Sequence, residues 1–176
     1  MEVKYGQNRK KARVPCFIFL FLKYCKQSET MNRNEIEILL IEDNPEDAEL
    51  MIRALTKNRL ANNLLHLKDG EEALAYLFSS ETNNSIPKLI LLDLKMPKVD
   101  GIEVLKIIKN DPQKKIIPVV VLTSSKEEED IVKSYQYGVN AYIVKPVEFD
   151  KFMKAVADLG LFWLVLNQQP GSINPS

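Results

Sequence analysis

From Glu35 onward the chain alternates five times between a short, continuous apolar run and a longer segment whose apolar residues recur at helical spacing. The runs are Ile36–Ile41, Leu64–Leu67, Lys88–Asp93, Ile116–Leu122 and Ala141–Val144. Unbroken apolar character over four to seven residues is what a strand needs when both of its faces are covered, because every side chain then meets a core. Between them, Ala48, Met51, Ile52 and Leu55 fall on one helical face, as do Ala73, Leu74 and Leu77, and then Val104, Leu105 and Ile108. Ile131, Val132 and Tyr135 mark a fourth helix, and Phe149, Phe152, Met153 and Val156 a fifth. Asn44 is placed to cap the first helix, with Pro45 at its first position. Ser125 followed three residues later by Glu128 predicts a capping box opening the fourth. Alternating strands and helices with short connections predict an α/β doubly wound fold, a five-stranded parallel sheet with helices on both faces.

In such a sheet the chemistry collects beyond the carboxyl ends of the strands. The first run ends in Glu42-Asp43, the third in Asp93, the fourth in Thr123-Ser124 and the fifth in Lys145-Pro146. Three carboxylates, a hydroxyl and an ammonium are therefore expected on one rim. Clustered carboxylates repel one another, and a bound cation relieves the cost. Hard oxygen donors with open positions suit Mg2+. An Asp carboxylate can accept a phosphoryl group as a nucleophile. Lys145 and Mg2+ would then neutralise charge on the phosphoryl oxygens, with Thr123 as a hydrogen-bond donor. Taken singly each residue has a plainer reading: an acidic helix cap for Glu42-Asp43, a turn residue for Asp93, a capping hydroxyl for Thr123, a solvated charge for Lys145. Only their order and shared placement favour a site.

This set resembles the receiver domain of two-component response regulators, which has a flavodoxin-like (βα)5 fold. Asp93-Leu94-Lys95-Met96-Pro97, Asp100-Gly101, the pair Thr123-Ser124, and Gly138-Val139-Asn140-Ala141-Tyr142 ahead of Lys145-Pro146 carry the likeness, over about residues 35–160. The resemblance implies that Asp93 takes a phosphoryl group from a phosphohistidine on a sensor histidine kinase or histidine phosphotransfer protein. It implies that Asp43, Asp93 and the backbone carbonyl of Lys95 coordinate Mg2+, with Glu42 acting through a metal-bound water. Thr123 and Tyr142 match the family's switch pair, although Tyr142 as a core aromatic is the alternative. Pro146 is expected to follow a cis peptide bond. Lys95 and Ser125 occupy positions that tune phosphoryl lifetime in the family. The sole histidine, His66, is expected to be structural or exposed.

The stretch Leu159–Leu166 is apolar all round, more than one buried stripe requires. Phe162-Trp163 resembles a pair through which receivers similar to phytochrome-associated response regulators dimerise, so a homodimer is expected there; folding back on the domain itself is the alternative. Gly160 weakens a continuous helix at this point. The enzyme alternative is a phosphatase of the haloacid-dehalogenase type, but that family places a second Asp two residues after its nucleophile, where this chain has Lys95. A scaffold that has lost phosphorylation would not be expected to keep the whole acidic set.

Composition narrows the rest. With 176 residues the chain holds one full domain. Residues 1–34 carry eight Lys and Arg against Glu2 and Glu29, so in a chain of zero net charge the remainder is acidic. An acidic body disfavours nucleic acid. No stretch approaches the roughly 20 apolar residues that cross a bilayer, so no membrane contact is expected and the location is expected to be cytoplasmic. Cys16 and Cys25 both lie in the basic leader, too few for a disulfide framework. The organisation expected is a disordered or mis-annotated extension over 1–34, with Met31 a candidate start and a weak membrane-surface or partner contact or a targeting peptide as the alternatives, a receiver over 35–166, and a flexible tail over 167–176. With no output domain after the fifth helix, signalling is expected to pass through contacts with a downstream protein. The sequence does not name that protein.

Overall fold

The computed structural model describes residues 36–60, 63–79, 86–146 and 148–168. The basic leader with its two cysteines and the end of the tail lie outside the described residues. The strands are β1 (Ile38–Ile41), β2 (Leu64–Leu67), β3 (Leu89–Leu92), β4 (Val119–Thr123) and β5 (Ala141–Val144). The helices are α1 (Pro45–Lys57), α2 (Gly70–Phe78), α3 (Gly101–Asn110), α4 (Glu128–Gln136) and α5 (Phe149–Leu161). All four ladders are parallel, in the order β2-β1-β3-β4-β5. This is the expected doubly wound fold, and its strand order is that of flavodoxin-like sheets.

Every residue of β1, β3 and β4 is buried, while β2 and β5, at the sheet edges, are half-buried. Successive side chains on a strand point to opposite faces, so each central strand feeds two cores. Leu39, Ile41, Ile90, Leu92, Val119 and Val121 pack with Ala73, Leu77, Val104, Leu105 and Ile108 of α2 and α3. Ile38, Leu40, Leu89, Leu91, Val120 and Leu122 pack with Met51, Leu55, Phe152 and Val156 of α1 and α5. Each such side chain apart from Ala73 contributes about 1.5–3 kcal/mol by leaving water. That is ample to hold the strand ends in register.

Three expectations need correction. First, β4 begins at Val119 rather than Ile116. Pro118 precedes it, Ile117 N donates to Lys114 O at 2.9 Å in a turn, and Ile116 is exposed. Second, α4 has no capping box. It starts at Glu128 after Glu127, which makes no side-chain cap hydrogen bond, and the Ser125 hydroxyl instead donates to Asp130 Oδ2 at 2.6 Å. Asp130 and Ser134 form its buried side, whereas Val132 and Tyr135 are exposed. Two of the three predicted apolar positions thus face solvent, while Ile131 is half-buried.

Third, α5 does not break at Gly160. The helix runs through it and continues as a π-helical turn over Phe162–Leu166, closed by Asn167 N donating to Phe162 O at 2.8 Å. Gly160 is buried where α5 crosses α1. A Cβ there would stand 2.7 Å from Leu55 Cδ2 and 3.1 Å from Leu60 Cδ1. The close approach calls for a residue without a side chain there, although glycine is a poor helix former. Gly160→Val is expected to lower unfolding free energy by about 2 kcal/mol through overpacking, read by urea denaturation. An unchanged midpoint would show that the two helices can part without cost.

Candidate functional site

The register sets the strand ends side by side. Ile41 pairs with Leu92, Leu92 with Val121 and Thr123 with Val144, so Glu42, Asp93, Thr123 and Lys145 leave the sheet on one rim. Backbone bonds fix the exits: Asp93 N donates to Ile41 O at 3.0 Å and Lys145 N to Thr123 O at 2.7 Å. The loop after β3 folds back tightly. Gly101 N donates to Leu94 O at 2.9 Å, and a Cβ on Gly101 would fall 2.1 Å from the Asp93 carbonyl oxygen. Only glycine fits, which explains the Asp100-Gly101 pair; Asp100 then caps α3 by accepting from Glu103 N at 2.9 Å.

Asp93 is buried and its two oxygens face different ways. Oδ1 accepts from the amides of Leu94 at 2.6 Å and Lys95 at 3.4 Å, while Oδ2 accepts from Lys145 Nζ at 2.8 Å. Lys145 is nearly as buried, and its other two ammonium hydrogens go to Glu42 Oε2 and Asp47 Oδ2, both at 2.7 Å. An ammonium has three donors, and here three carboxylates take them. Burial pushes the Glu42 carboxyl up to about 7 against the downward pull of Lys145. Burial also works against the Lys145 charge, but the hydrogen bonds to Asp47, Asp93 and Glu42 outweigh it and hold the ammonium above its ordinary range.

Glu42, Asp43 and Asp93 each present a carboxylate oxygen within 4.8 Å of the others. Asp43 is the exposed member, open to solvent beside two buried ones. The donor set is all oxygen and anionic, which fits a hard divalent cation. Asp47 joins the cluster without having been singled out in the sequence. Asn44 caps α1 as expected, its Oδ1 accepting from Glu46 N at 2.9 Å and Asp47 N at 3.3 Å. An acid in a helix's first turn is ordinary, so nothing in the local pattern marks Asp47; only the position of α1 over the rim does.

A second polar group borders the first. Lys95 Nζ lies 2.9 Å from Asp130 Oδ2, the oxygen that also accepts from Ser125. Those two contacts, Ser125 the stronger, hold the Asp130 carboxyl below its usual range against the opposing effect of burial. Ser125 N donates to Thr123 Oγ1 at 3.3 Å, and Tyr142 Oη donates to Ser125 O at 3.1 Å. Thr123 and Tyr142 are therefore joined through one residue, Ser125. Tyr142 is half-buried rather than swung out, and its ring packs at the edge of the core. No sequence motif marks Asp130. His66 is structural in its contact: its Nε2–H donates to the Glu42 carbonyl at 2.8 Å.

The Lys145–Pro146 bond is not cis: among the described residues no peptide bond is. Trans is favoured by about 0.5–1 kcal/mol even before proline. Phe162 and Trp163 lie away from the rim, beyond α5. Their rings meet edge to face at 5.1 Å. Trp163 packs on the α1–α5 core while Phe162 is half-exposed.

The family model of the response regulator receiver domain matches residues 38–157. The chain belongs to the response regulator receiver family. A receiver is a phosphorylation-dependent signalling domain of two-component systems. This one is 43% identical over 129 residues to the response regulator Rcp1 of Synechocystis, spanning 72% of this chain and 88% of that protein. The phosphorylated cyanobacterial phytochrome response regulator RcpA superposes with a TM-score of 0.72 at 42% identity, over 78% of this chain and 99% of that one. The Mn2+-bound form of Rcp1 gives a TM-score of 0.71 at 42% identity, over 77% and 99%. No described helix of this receiver is long and apolar enough to cross a membrane.

Proposed function

We propose that Asp93 accepts a phosphoryl group from a phosphohistidine on a sensor histidine kinase or a histidine phosphotransfer protein, and that the phosphorylated receiver, spanning residues 35–166, acts through contacts with a downstream protein. The observation that carries this reading is the buried Asp93 carboxylate with Lys145 Nζ at 2.8 Å, among further carboxylates at the strand ends. One Asp93 oxygen attacks phosphorus, the P–N bond breaks, and the imidazole leaves with the bonding pair and takes up a proton. Lys145 offsets charge on the phosphoryl oxygens where water is largely excluded. Thr123 Oγ1 lies at the adjacent strand end and turns to donate to a phosphoryl oxygen. Its bond from Ser125 N is then given up, and through Ser125 O the change reaches Tyr142.

Asp43, Asp93 and the Lys95 carbonyl would hold Mg2+, with Glu42 acting through a water. The cation supplies charge neutralisation at the acceptor when bound. The Mn2+-bound form of the related Rcp1 supports a divalent ion at the acidic cluster. The same groups, with a water in place of the donor, return Asp93 to the carboxylate and release phosphate, so the domain's only chemistry is on itself. Incubation with acetyl phosphate and Mg2+ tests the reading. The chain should gain the mass of one phosphate, and a chain that gains none refutes it.

Phe162 and Trp163 are assigned to a homodimer contact. The exposed Phe162, Val165 and Leu166 support this. The double variant Phe162→Ala, Trp163→Ala should sediment more slowly than the wild type. Phe162→Ser alone, which spares the packed indole, should shift in the same direction. Unchanged sedimentation in both removes the assignment.

A further inference from the structure

Lys145 has three partners, and the proposed chemistry disturbs two of them. Asp93 Oδ2 must share or surrender its 2.8 Å contact when the phosphoryl group arrives, and Glu42 is drawn toward the cation. Asp47 does neither. It stands at the third position of α1, behind Pro45, with its amide bonded to Asn44 Oδ1 at 3.3 Å, so backbone and cap hold it in place. Its Oδ2 is 2.7 Å from Lys145 Nζ, while its side chain remains partly solvated and needs no metal to be satisfied. A lysine side chain carries about 2 kcal/mol of rotamer entropy. An ammonium released by two carboxylates at once would sample much of that freedom unless a third held it.

We propose that Asp47 is a positioning residue that keeps the Lys145 ammonium over the acceptor when Asp93 and Glu42 are engaged elsewhere. This rests on the reading of Asp93 as the phosphoacceptor. Asp47 touches neither phosphorus nor metal in this account; it acts through Lys145. Its negative charge costs something next to a phosphoryl group, and fixing the lysine outweighs that cost.

The test uses beryllofluoride, a non-transferable mimic of the phosphoryl group, titrated into the full chain with Mg2+ and followed by calorimetry. Asp47→Ala should weaken binding by about tenfold, the size of one lost charge-assisted hydrogen bond. In a Lys145→Ala background the same change should have no further effect, because Asp47 would then have nothing to position. A merely structural acid in a helix's first turn would lower the melting temperature and leave affinity well below that temperature unchanged. Unchanged or tighter beryllofluoride binding by Asp47→Ala overturns the proposal, the latter showing that Asp47 competes with the phosphoryl group for Lys145. A further loss in the Lys145→Ala background also overturns it. Wild-type chain that binds no beryllofluoride contradicts the phosphoacceptor reading itself, a separate outcome.

Discussion

Asp93→Asn is expected to take up no phosphoryl group from acetyl phosphate and Mg2+, whereas the wild-type chain is expected to gain one. The amide is nearly isosteric with the carboxylate. Its oxygen can still accept from the Leu94 and Lys95 amides that meet Oδ1. Lys145 keeps Glu42 and Asp47 as partners at 2.7 Å each. The fold should therefore survive, with stability within about 1 kcal/mol of wild type, since losing one ion pair is offset by less repulsion among the remaining acids. What the substitution would remove is the proposed nucleophile. A neutral amide oxygen does not displace imidazole or acetate from phosphorus; Glu42, which also accepts from a backbone amide and from Lys145, meets one amide where Asp93 meets two. Labelling should drop to the level of an unreacted control by intact mass, with circular dichroism unchanged. If the Asp93→Asn variant labels as well as wild type, phosphate is entering elsewhere and the assignment of the rim is wrong.

Much of this was legible because a parallel sheet converts sequence into position with little ambiguity. Once β1, β3 and β4 are recognised as runs buried on both faces, their carboxyl ends must share a rim, and Glu42, Asp93 and Thr123 follow. β2 and β5 match their expected bounds, because Asp69-Gly70 and Lys145-Pro146 punctuate them. What could not be read depends on contacts between elements. The start of α4 is governed by Ser125, Asp130 and Lys95, from two loops and a helix, so a local capping rule puts Ser125 in the wrong bond. Gly160 looks like a helix breaker until Leu55 and Leu60 are seen across from it. Asp47 looks like a charge at a helix start until Lys145, 98 residues later, is seen to reach it. The trans bond before Pro146 departs from family expectation rather than from any local signal.

Lys145→Ala should be the most destabilising change at the rim, and its size should depend on pH and on Mg2+. The substitution strips the shared cation from Glu42, Asp47 and Asp93. Breaking a buried pair by removing one partner costs about 3–5 kcal/mol, and the lower end applies because Asp47 is partly solvated and Glu42 can take a proton. Glu42 sets the pH dependence. Its carboxyl is held at about 7 in the fold against 4.5 ordinarily, chiefly by burial. A carboxyl whose folded value is raised binds its proton more tightly in the native state than in the unfolded chain. Its contribution is therefore greatest below the ordinary value and declines as pH rises through the folded one. In wild type that decline falls between 4.5 and about 7. Without Lys145, whose hydrogen bond and charge both lower Glu42, the decline should extend above that window. The loss measured by urea unfolding should then be about 3 kcal/mol at pH 8 and distinctly smaller at pH 5. Added Mg2+ should recover much of it at pH 8, because a divalent ion at Asp43 and Asp93, with Glu42 reaching it through a water, would replace the missing positive charge. It should do so without restoring the proposed response of Tyr142 to phosphorylation, since the ion supplies charge but not the bond from Lys145 to the phosphoryl group. A variant as stable as wild type at pH 8 without Mg2+ would mean that these carboxylates do not need their lysine, and the electrostatic account of the site would fail with it.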